Sequence, residues 1–261
     1  MVKNILYQGK PLVSIVVNCL NCSKYLLEAL KSIEKQTYPN IELIFVDNCS
    51  TDNSAEILSR VNMNVQYLKL KSIIPLYAAR NEALNLVNGY YVAFLDSDDI
   101  WEETKISEQL EIFDEDTILV YCKRKFIDEN GEIINKVDSK KYKGRLVNKL
   151  LLSPFIPMSS VILKSKVAKL LYFNPSFNLI GDFDMWLRVA MQGKIAYVDK
   201  ILLLDRLHSD STGQIHKSSW IKERRSLYCD FFRNYRLKYL GLIVFILRTE
   251  VRYFLTVLGL K

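Results

Sequence analysis

Short apolar runs rich in β-branched and aromatic residues recur through the first hundred positions, separated by stretches with helical spacing. LVSIVV (12–17), IELIFV (41–46), residues 65–70 and YYVAFL (90–95) have the length and composition of strands, and continuous runs such as the first predict strands buried on both faces. Between them, Leu26, Leu27, Leu30 and Ile33 recur on one helical face after Ser23, a candidate cap. A second helix is expected to start at Thr51 or Asp52. A third opens at Pro75, carries Leu76, Ala79, Ala83 and Leu86 on one face, and stops at Asn88-Gly89. This alternation predicts an α/β fold with a mostly parallel, doubly wound central sheet and flanking helices.

Beyond residue 100 the pattern loosens. It predicts a helix over 104–113, a strand over 118–122, and a hairpin over 125–137 turning at Asn130-Gly131. A short helix follows over 146–152, then a strand over 159–163 and a helix over 182–192 closed by Gly193. Two late strands are expected at 195–198 and 201–205. No linker or internal repeat interrupts the chain, so one α/β domain over 1–215 and a helical C-terminal region over 216–261 are expected.

Composition sharpens this division. The chain has 261 residues, 49% hydrophobic and 25% charged, enough for one large domain that needs no disulfide or metal to hold it. The start, MVKNILYQGK, has no apolar run behind its lysine, so no secretory signal is expected. Five cysteines are an odd number and fit a reducing compartment, and the lone Cys19-x-x-Cys22 is expected to hold small or buried thiols. The formal net charge is +7, and residues 217–261 carry all of it, with ten Lys/Arg against three acids. A neutral body with a basic end predicts contact with an anionic surface and no nucleic-acid groove. The apolar run LGLIVFIL (240–247) has eight residues, against the roughly 20 needed to span a bilayer. Arg248, Glu250 and Arg252 interrupt it before a second apolar stretch, which predicts an amphipathic helix lying on anionic lipid. The alternative is a helix packed on the domain or on a second copy, the latter giving a homodimer.

The polar residues after the strands carry the candidate chemistry. In an open α/β sheet, ligands bind beyond the carboxyl ends of the strands. There the sequence places Asn18 to Asn21 after the first strand, Asp47 to Asp52 after the second, and Asp96-Ser97-Asp98-Asp99 after the fourth. Carboxylates two residues apart after a strand can reach one small volume, where their repulsion calls for a cation or hydroxyl donors. Hard oxygen ligands without His or Cys favour Mg²⁺ or Mn²⁺, completed by phosphate oxygens. The structural alternative is that Asp98 or Asp99 caps a helix starting at Ile100. There is neither a G-x-G-x-x-G after the first strand nor a G-x-x-x-x-G-K-[ST], which disfavours dinucleotide and phosphate-loop enzymes.

Four ordered segments resemble the inverting family 2 glycosyltransferases of the GT-A fold, as used in bacterial surface-polysaccharide synthesis. PLVSIVVNCLN, LLEALKSIEKQTYPNIELIFVDNCSTDNS, AARNEALNLVNGYYVAFLDSDD, and SSVILKS followed by GDFDMWLRVAMQGKIAYVDKILLLDRLHSDST span residues 11–213. The resemblance implies that Asp47 binds the nucleotide base, most often uracil, helped by backbone near Asn18. It implies that Arg80 lies near the nucleotide or its phosphates, that Asp96 faces the ribose or a metal-bound water, and that Asp98 is the metal ligand. Asp182 matches the catalytic base. His208 matches a histidine that completes the metal shell or touches the diphosphate, while Asp184, Trp186 and Arg188 look structural. Three positions depart from the pattern: Leu20 replaces an aromatic that stacks on the base, Asn48-Cys49 replaces Asp-Gly, and Gly181 replaces the glutamate before the base.

The implied activity is metal-dependent transfer of a hexose or hexosamine from a nucleoside diphosphate, UDP foremost, to a hydroxyl of a glycan or polyprenyl-diphosphate-linked acceptor. The implied seat is the cytoplasmic face of the inner membrane. Two alternatives stay open: a nucleotidyltransferase, which would want a glycine- and lysine-rich loop after the first strand, and a catalytically silent nucleotide-sugar-binding protein.

Overall fold

A computed structural model describes residues 6–7, 9–137, 141–209 and 217–234. In chain order the elements are β1 (Leu6–Tyr7), β2 (Lys10–Pro11), β3 (Val13–Cys19), α1 (Ser23–Glu34), β4 (Ile41–Asp47), α2 (Ser54–Leu58), β5 (Val65–Lys69), α3 (Leu76–Leu86), β6 (Tyr91–Phe94) and β7 (Ile100–Trp101). They continue with α4 (Lys105–Leu110), β8 (Thr117–Ile127), β9 (Ile133–Val137), α5 (Val147–Leu152), β10 (Val161–Lys164), α6 (Ser165–Leu171), α7 (Gly181–Gln192), β11 (Lys194–Arg206) and α8 (Lys217–Asn234).

The main sheet runs β5-β4-β3-β6-β10-β8-β11-β7, with β9 paired to β8. The first four strands are parallel, as the alternation predicts. Antiparallel pairing enters with β10, which lies between β6 and β8 and opposes both. Successive residues of the buried strands serve two separate cores. Val13, Ile15 and Val17 face α1 with Leu43, Phe45, Leu26, Leu30 and Ile33. Val16 faces the other way with Ile44, Val46, Phe94, Ala79, Ala83 and Trp186 of α7. The sheet is therefore the middle of three layers, which is why the parallel strands read as unbroken apolar runs.

The second half departs from the sequence reading in three places. The stretches 118–122 and 125–127 form one strand, β8, although Lys123-Arg124-Lys125 break its apolar pattern. The partner strand supplies the acids: Arg124 pairs with Asp205 at 2.6 Å and Lys123 with Asp199 at 3.7 Å. The two late strands likewise join into β11, with register shifts around Val198 and Ile201 that absorb the polar Asp199-Lys200. Residues 100–101 pair antiparallel with Leu203 and Leu204 of β11, so no helix follows the acidic motif and α4 starts only at Lys105. Capping is thus removed as the reason for Asp98 and Asp99.

The C-terminal helix packs on the domain over the residues described. Leu227, Tyr228 and Phe231 of α8 are buried in the α7 core. Glu223 accepts hydrogen bonds from the N–H groups of Asn178, Leu179 and Ile180, and so holds the approach to α7. The boundary expected at 215/216 and the amphipathic run 240–258 lie outside the described residues.

Candidate active site

The parallel register delivers the polar residues to one edge. Val16 pairs with Phe94 and Cys19 with Asp47, so two residues past the β3–β6 pairing Asn18 and Asp96 reach the same level. The antiparallel β7–β11 pair then returns the chain to that edge and sets Asp205 to His208 against Asp96 to Asp99. A cleft of about 560 Å³ opens there, lined by Asn18, Tyr77, Arg80, Asp96, Asp98 and Asp182, among others. Of the seven candidate site residues, Asn18, Arg80, Asp96, Asp98 and Asp182 meet in this cleft. His208 joins them through Asp98, with Nε2 2.9 Å from Oδ2.

Asp47 does not line the cleft. It is 1% exposed at the end of β4, and both oxygens are engaged: Ser50 N–H donates to Oδ1 at 2.6 Å and the Tyr67 hydroxyl to Oδ2 at 2.9 Å. Its loop is anchored on all sides. Asn48 bonds the backbone of Ile74 through both amide atoms, which holds Cys49 in a left-handed turn (φ 70°) that glycine adopts without strain. Asp52 bonds Ser54 and the N–H of Ser23. Ser23 is therefore the first residue of α1 and is capped by a neighbouring loop, rather than being the cap. Asn18, by contrast, has both amide atoms buried without a partner, an arrangement that asks for a ligand.

Cys19 and Cys22 depart from expectation. They are joined as a disulfide, with Cα atoms 5.6 Å apart. Asn21 between them takes φ 52°, and its side chain accepts the Thr51 N–H at 2.8 Å. This left-handed turn folds the loop back and brings the two cysteines together. The β3–α1 connection is thus three residues long with no glycine, and it offers no phosphate-binding loop of the nucleotidyltransferase kind.

The acids of the cleft are crowded. Arg80, 5% exposed, pairs with Asp96 at 2.5 Å. Even so, desolvation, followed by the charges of Asp98, Asp182 and Asp205, pushes the Asp96 carboxyl up to about 6. Asp99, 7% exposed, accepts the Arg206 N–H at 3.0 Å; burial and then the neighbouring acids push it well above the carboxylate range. Asp182, on the first turn of α7, is pushed up by burial and drawn back by Arg80. Its Oδ1 accepts the Phe183 N–H at 2.8 Å and the Tyr77 hydroxyl at 3.3 Å. Negative charge concentrated this way calls for a cation.

Several residues essential to this arrangement gave no signal in the sequence. Arg206 is 3% exposed and bonds the Asp98 carbonyl, Glu28, and the carbonyls of Asp128 and Glu129. Ser159 accepts the Asp96 N–H at 3.0 Å and, through its own carbonyl, the Trp101 indole at 2.8 Å. Each acts across more than fifty residues of sequence, so no local spacing marks it. Arg188 bonds Asp184 and the carbonyls of Leu171 and Tyr172, and Trp186 is buried; these are structural roles, as expected.

Comparison with known proteins gives this geometry a family. The model of Glycosyl transferase family 2 matches residues 14–171. An uncharacterized glycosyltransferase of Methanocaldococcus jannaschii is 31% identical over 207 residues, 76% of this chain and 71% of that protein. The Escherichia coli enzyme WfaP, a UDP-Glc:α-D-GlcNAc-diphosphoundecaprenol β-1,3-glucosyltransferase, is 29% identical over 236 residues, 85% of this chain and 92% of its own length. Two uncharacterized Rickettsia glycosyltransferases are longer, and the chain spans 31% and 33% of them. Among solved structures, S. aureus TarS 1-349 in complex with UDP-GlcNAc has a TM-score of 0.72 at 22% identity, covering 90% of this chain and 71% of that one. The mannosyltransferase PcManGT of Pyrobaculum calidifontis, in complex with GDP-Man and Mn²⁺, has a TM-score of 0.65 at 16% identity, covering 86% of this chain and 65% of that one. With more than half of its length inside the family's model and its fold shared with these structures, the chain has the GT-A fold and belongs to glycosyl transferase family 2.

Proposed function

We propose that the chain transfers a hexose or hexosamine from a UDP-sugar, with inversion, to a hydroxyl of a glycan or polyprenyl-diphosphate-linked acceptor in bacterial surface-polysaccharide synthesis. The observation that carries this reading is the meeting of Asp182 and Asp98, far apart in the chain, in one cleft beside Arg80. The donor and acceptor classes are supported by the named substrates of WfaP and by the UDP-GlcNAc complex of TarS.

Asp182 acts as the base. Its Oδ1 is taken by two donors, and Oδ2 has no protein partner among the described residues. Oδ2 is thus the oxygen that accepts the acceptor hydroxyl's proton as that oxygen attacks the anomeric carbon. Proton transfer of this kind contributes about 10²–10⁴-fold. A carboxylate pushed up by burial suits the task. Asn18 binds the nucleotide from the floor of the cleft, with Asp47 fixing the base-side wall. Arg80 stays charged beside Asp96 and faces the phosphates.

The residues present fit a divalent cation. Asp98 and the His208 ring lie side by side, His208 Nδ1 is buried without a partner, and the surrounding acids are short of positive charge. Among the described residues no set of three or more His, Cys, Asp or Glu converges as a full ligand shell. Asp98 and His208 would therefore hold Mn²⁺ or Mg²⁺ together with diphosphate oxygens and water. When bound, the ion neutralises charge on the departing diphosphate.

Asp182→Asn tests the reading. Turnover should fall by two orders of magnitude or more, while UDP-sugar affinity by isothermal titration stays within about threefold of wild type. Lost affinity with preserved turnover would overturn the assignment. The basic charge of 217–261 supports a peripheral seat on the anionic cytoplasmic face of the membrane; among the described residues no helix is long and apolar enough to cross a membrane. Removing residues 237–261 should release the protein from anionic vesicles in a sedimentation assay, and retention would refute this seat.

A further inference from the structure

The residue before the base is glycine, and the structure shows what stands in the space a side chain would need. A Cβ on Gly181 would fall 2.5–2.6 Å from three carbons of the Tyr77 ring, a separation no side chain tolerates. Tyr77 is on the first turn of α3, in the opposite wall of the cleft, and is 3% exposed. Its ring stacks on Phe173 at 5.6 Å and lies 5.3 Å from the Arg80 guanidinium. Its hydroxyl donates to Asp182 Oδ1.

We infer that Tyr77 is a positioning residue for the base, and that Gly181 is present because the Tyr77 ring occupies its side-chain space. The inference rests on Asp182 being the base and adds what sets its orientation. Two donors on Oδ1, the Phe183 N–H of its own helix and the Tyr77 hydroxyl of α3, hold the carboxylate from two different elements. Without the hydroxyl, the carboxylate is held only by backbone donors at the start of α7 and is freer to rotate about its Cβ–Cγ bond. Oδ2 then spends less time aimed at the acceptor hydroxyl, and misplacement of this kind lowers the rate of the chemical step rather than binding. Arg80, three residues further along α3, lies against the same ring and pairs with Asp96.

The test is Tyr77→Phe, which keeps the ring and its packing and removes only the hydroxyl. The expected result is a fall in kcat of about tenfold with donor and acceptor KM within about twofold of wild type. The acid limb of the kcat profile should also move to higher pH, because a hydrogen bond to the charged carboxylate is lost; the other charged groups facing Asp182, Arg80 on α3 and Asp96 after β6, are unchanged. Unchanged kcat, or a loss confined to KM, would overturn the inference. Asp182→Asn is measured in parallel: if it retains wild-type turnover, the base assignment fails and this inference with it. If it is inactive while Tyr77→Phe behaves as wild type, only the role of Tyr77 fails. A second measurement tests the steric half. Gly181→Ala should lower the unfolding midpoint in the wild-type background and do so much less in Tyr77→Ala, and equal losses in both backgrounds would refute the fit between ring and glycine.

Discussion

Two carboxylate-bearing loops at the same sheet edge are built in opposite ways. The loop after β4 gives each acid its full complement of donors. Asp47 has Ser50 and Tyr67, and Asp52 has Ser54 and the Ser23 N–H. For Asp52, desolvation is outweighed by these hydrogen bonds, which hold its carboxyl down at about 2. The turn after β6 does the reverse. Asp96 and Asp99 sit among neighbouring acids, and burial pushes them up, as it does Asp182 of α7 across the cleft. The lesson is that a buried carboxylate becomes a fixed wall or a reactive group according to whether its donors outweigh burial and the charges around it. The satisfied loop is a fixed wall; the turn after β6 concentrates the negative charge that the proposed cation would meet.

The contrast predicts different failures on the two sides. On the reactive side, Asp98→Asn should reduce transfer about 10²–10³-fold, the scale of losing one electrostatic contact to the developing charge. The folded protein should survive and become slightly more stable without ligand, since one of several crowded charges is gone. Calorimetry with Mn²⁺ and UDP checks this: the wild type should gain several degrees and the variant little. A variant that unfolds, or that gains as much as wild type, would put Asp98 outside the metal site. On the satisfied side the effect should fall on stability instead. At the other end of β4, Glu42 accepts from the Ser14 hydroxyl, the Gln66 amide, and the Asn88 N–H and side-chain amide. Glu42→Ala strands four donors and should cost roughly 2–3 kcal/mol in urea unfolding, while the fraction still folded turns over at the wild-type rate. A large loss of kcat per folded molecule would mean that satisfied carboxylates and the cleft are not separable in this way.

The sequence is most informative where structure is local. The strands of β3, β4 and β6 are readable because both faces of each are buried, and the acids after them are readable because strand ends face one edge. Asp182 and His208 came from resemblance rather than spacing, and the structure brings both to the cleft. What stayed hidden depends on contacts between distant segments. β8 looks interrupted at Lys123-Arg124-Lys125 until β11 supplies Asp199 and Asp205. Residues 100–101 look like a helix start until Leu203 and Leu204 claim them as a strand. The Cys19–Cys22 pair depends on a left-handed Asn21, whose turn is held by Thr51 from another loop. The role of Gly181 is unreadable without the Tyr77 ring, more than a hundred residues earlier.

The smallest effect gives the sharpest measure of the contrast. Removing the Asp52 side chain deletes the acceptor for the Ser23 N–H and for Ser54, so Asp52→Ala should cost about 1 kcal/mol at neutral pH, the usual worth of a helix cap. Its pH dependence has a defined sign. The folded carboxyl, at about 2, lies below the ordinary 3.8, so its contribution is full above that value and is lost as the pH falls toward 2. The difference between wild type and variant should therefore shrink in acid. Asp96 runs the other way: raised to about 6 from 3.8, it binds its proton more tightly folded than unfolded, so its charge takes stability away as the pH climbs from about 4 through 6. Carbon-13 carboxyl titration of the ligand-free protein should separate the two, with Asp52 still ionised at pH 3 and Asp96 half-protonated near pH 6. If both titrate together near their ordinary value, donor supply does not distinguish the loops, and the division between wall and reactive turn fails.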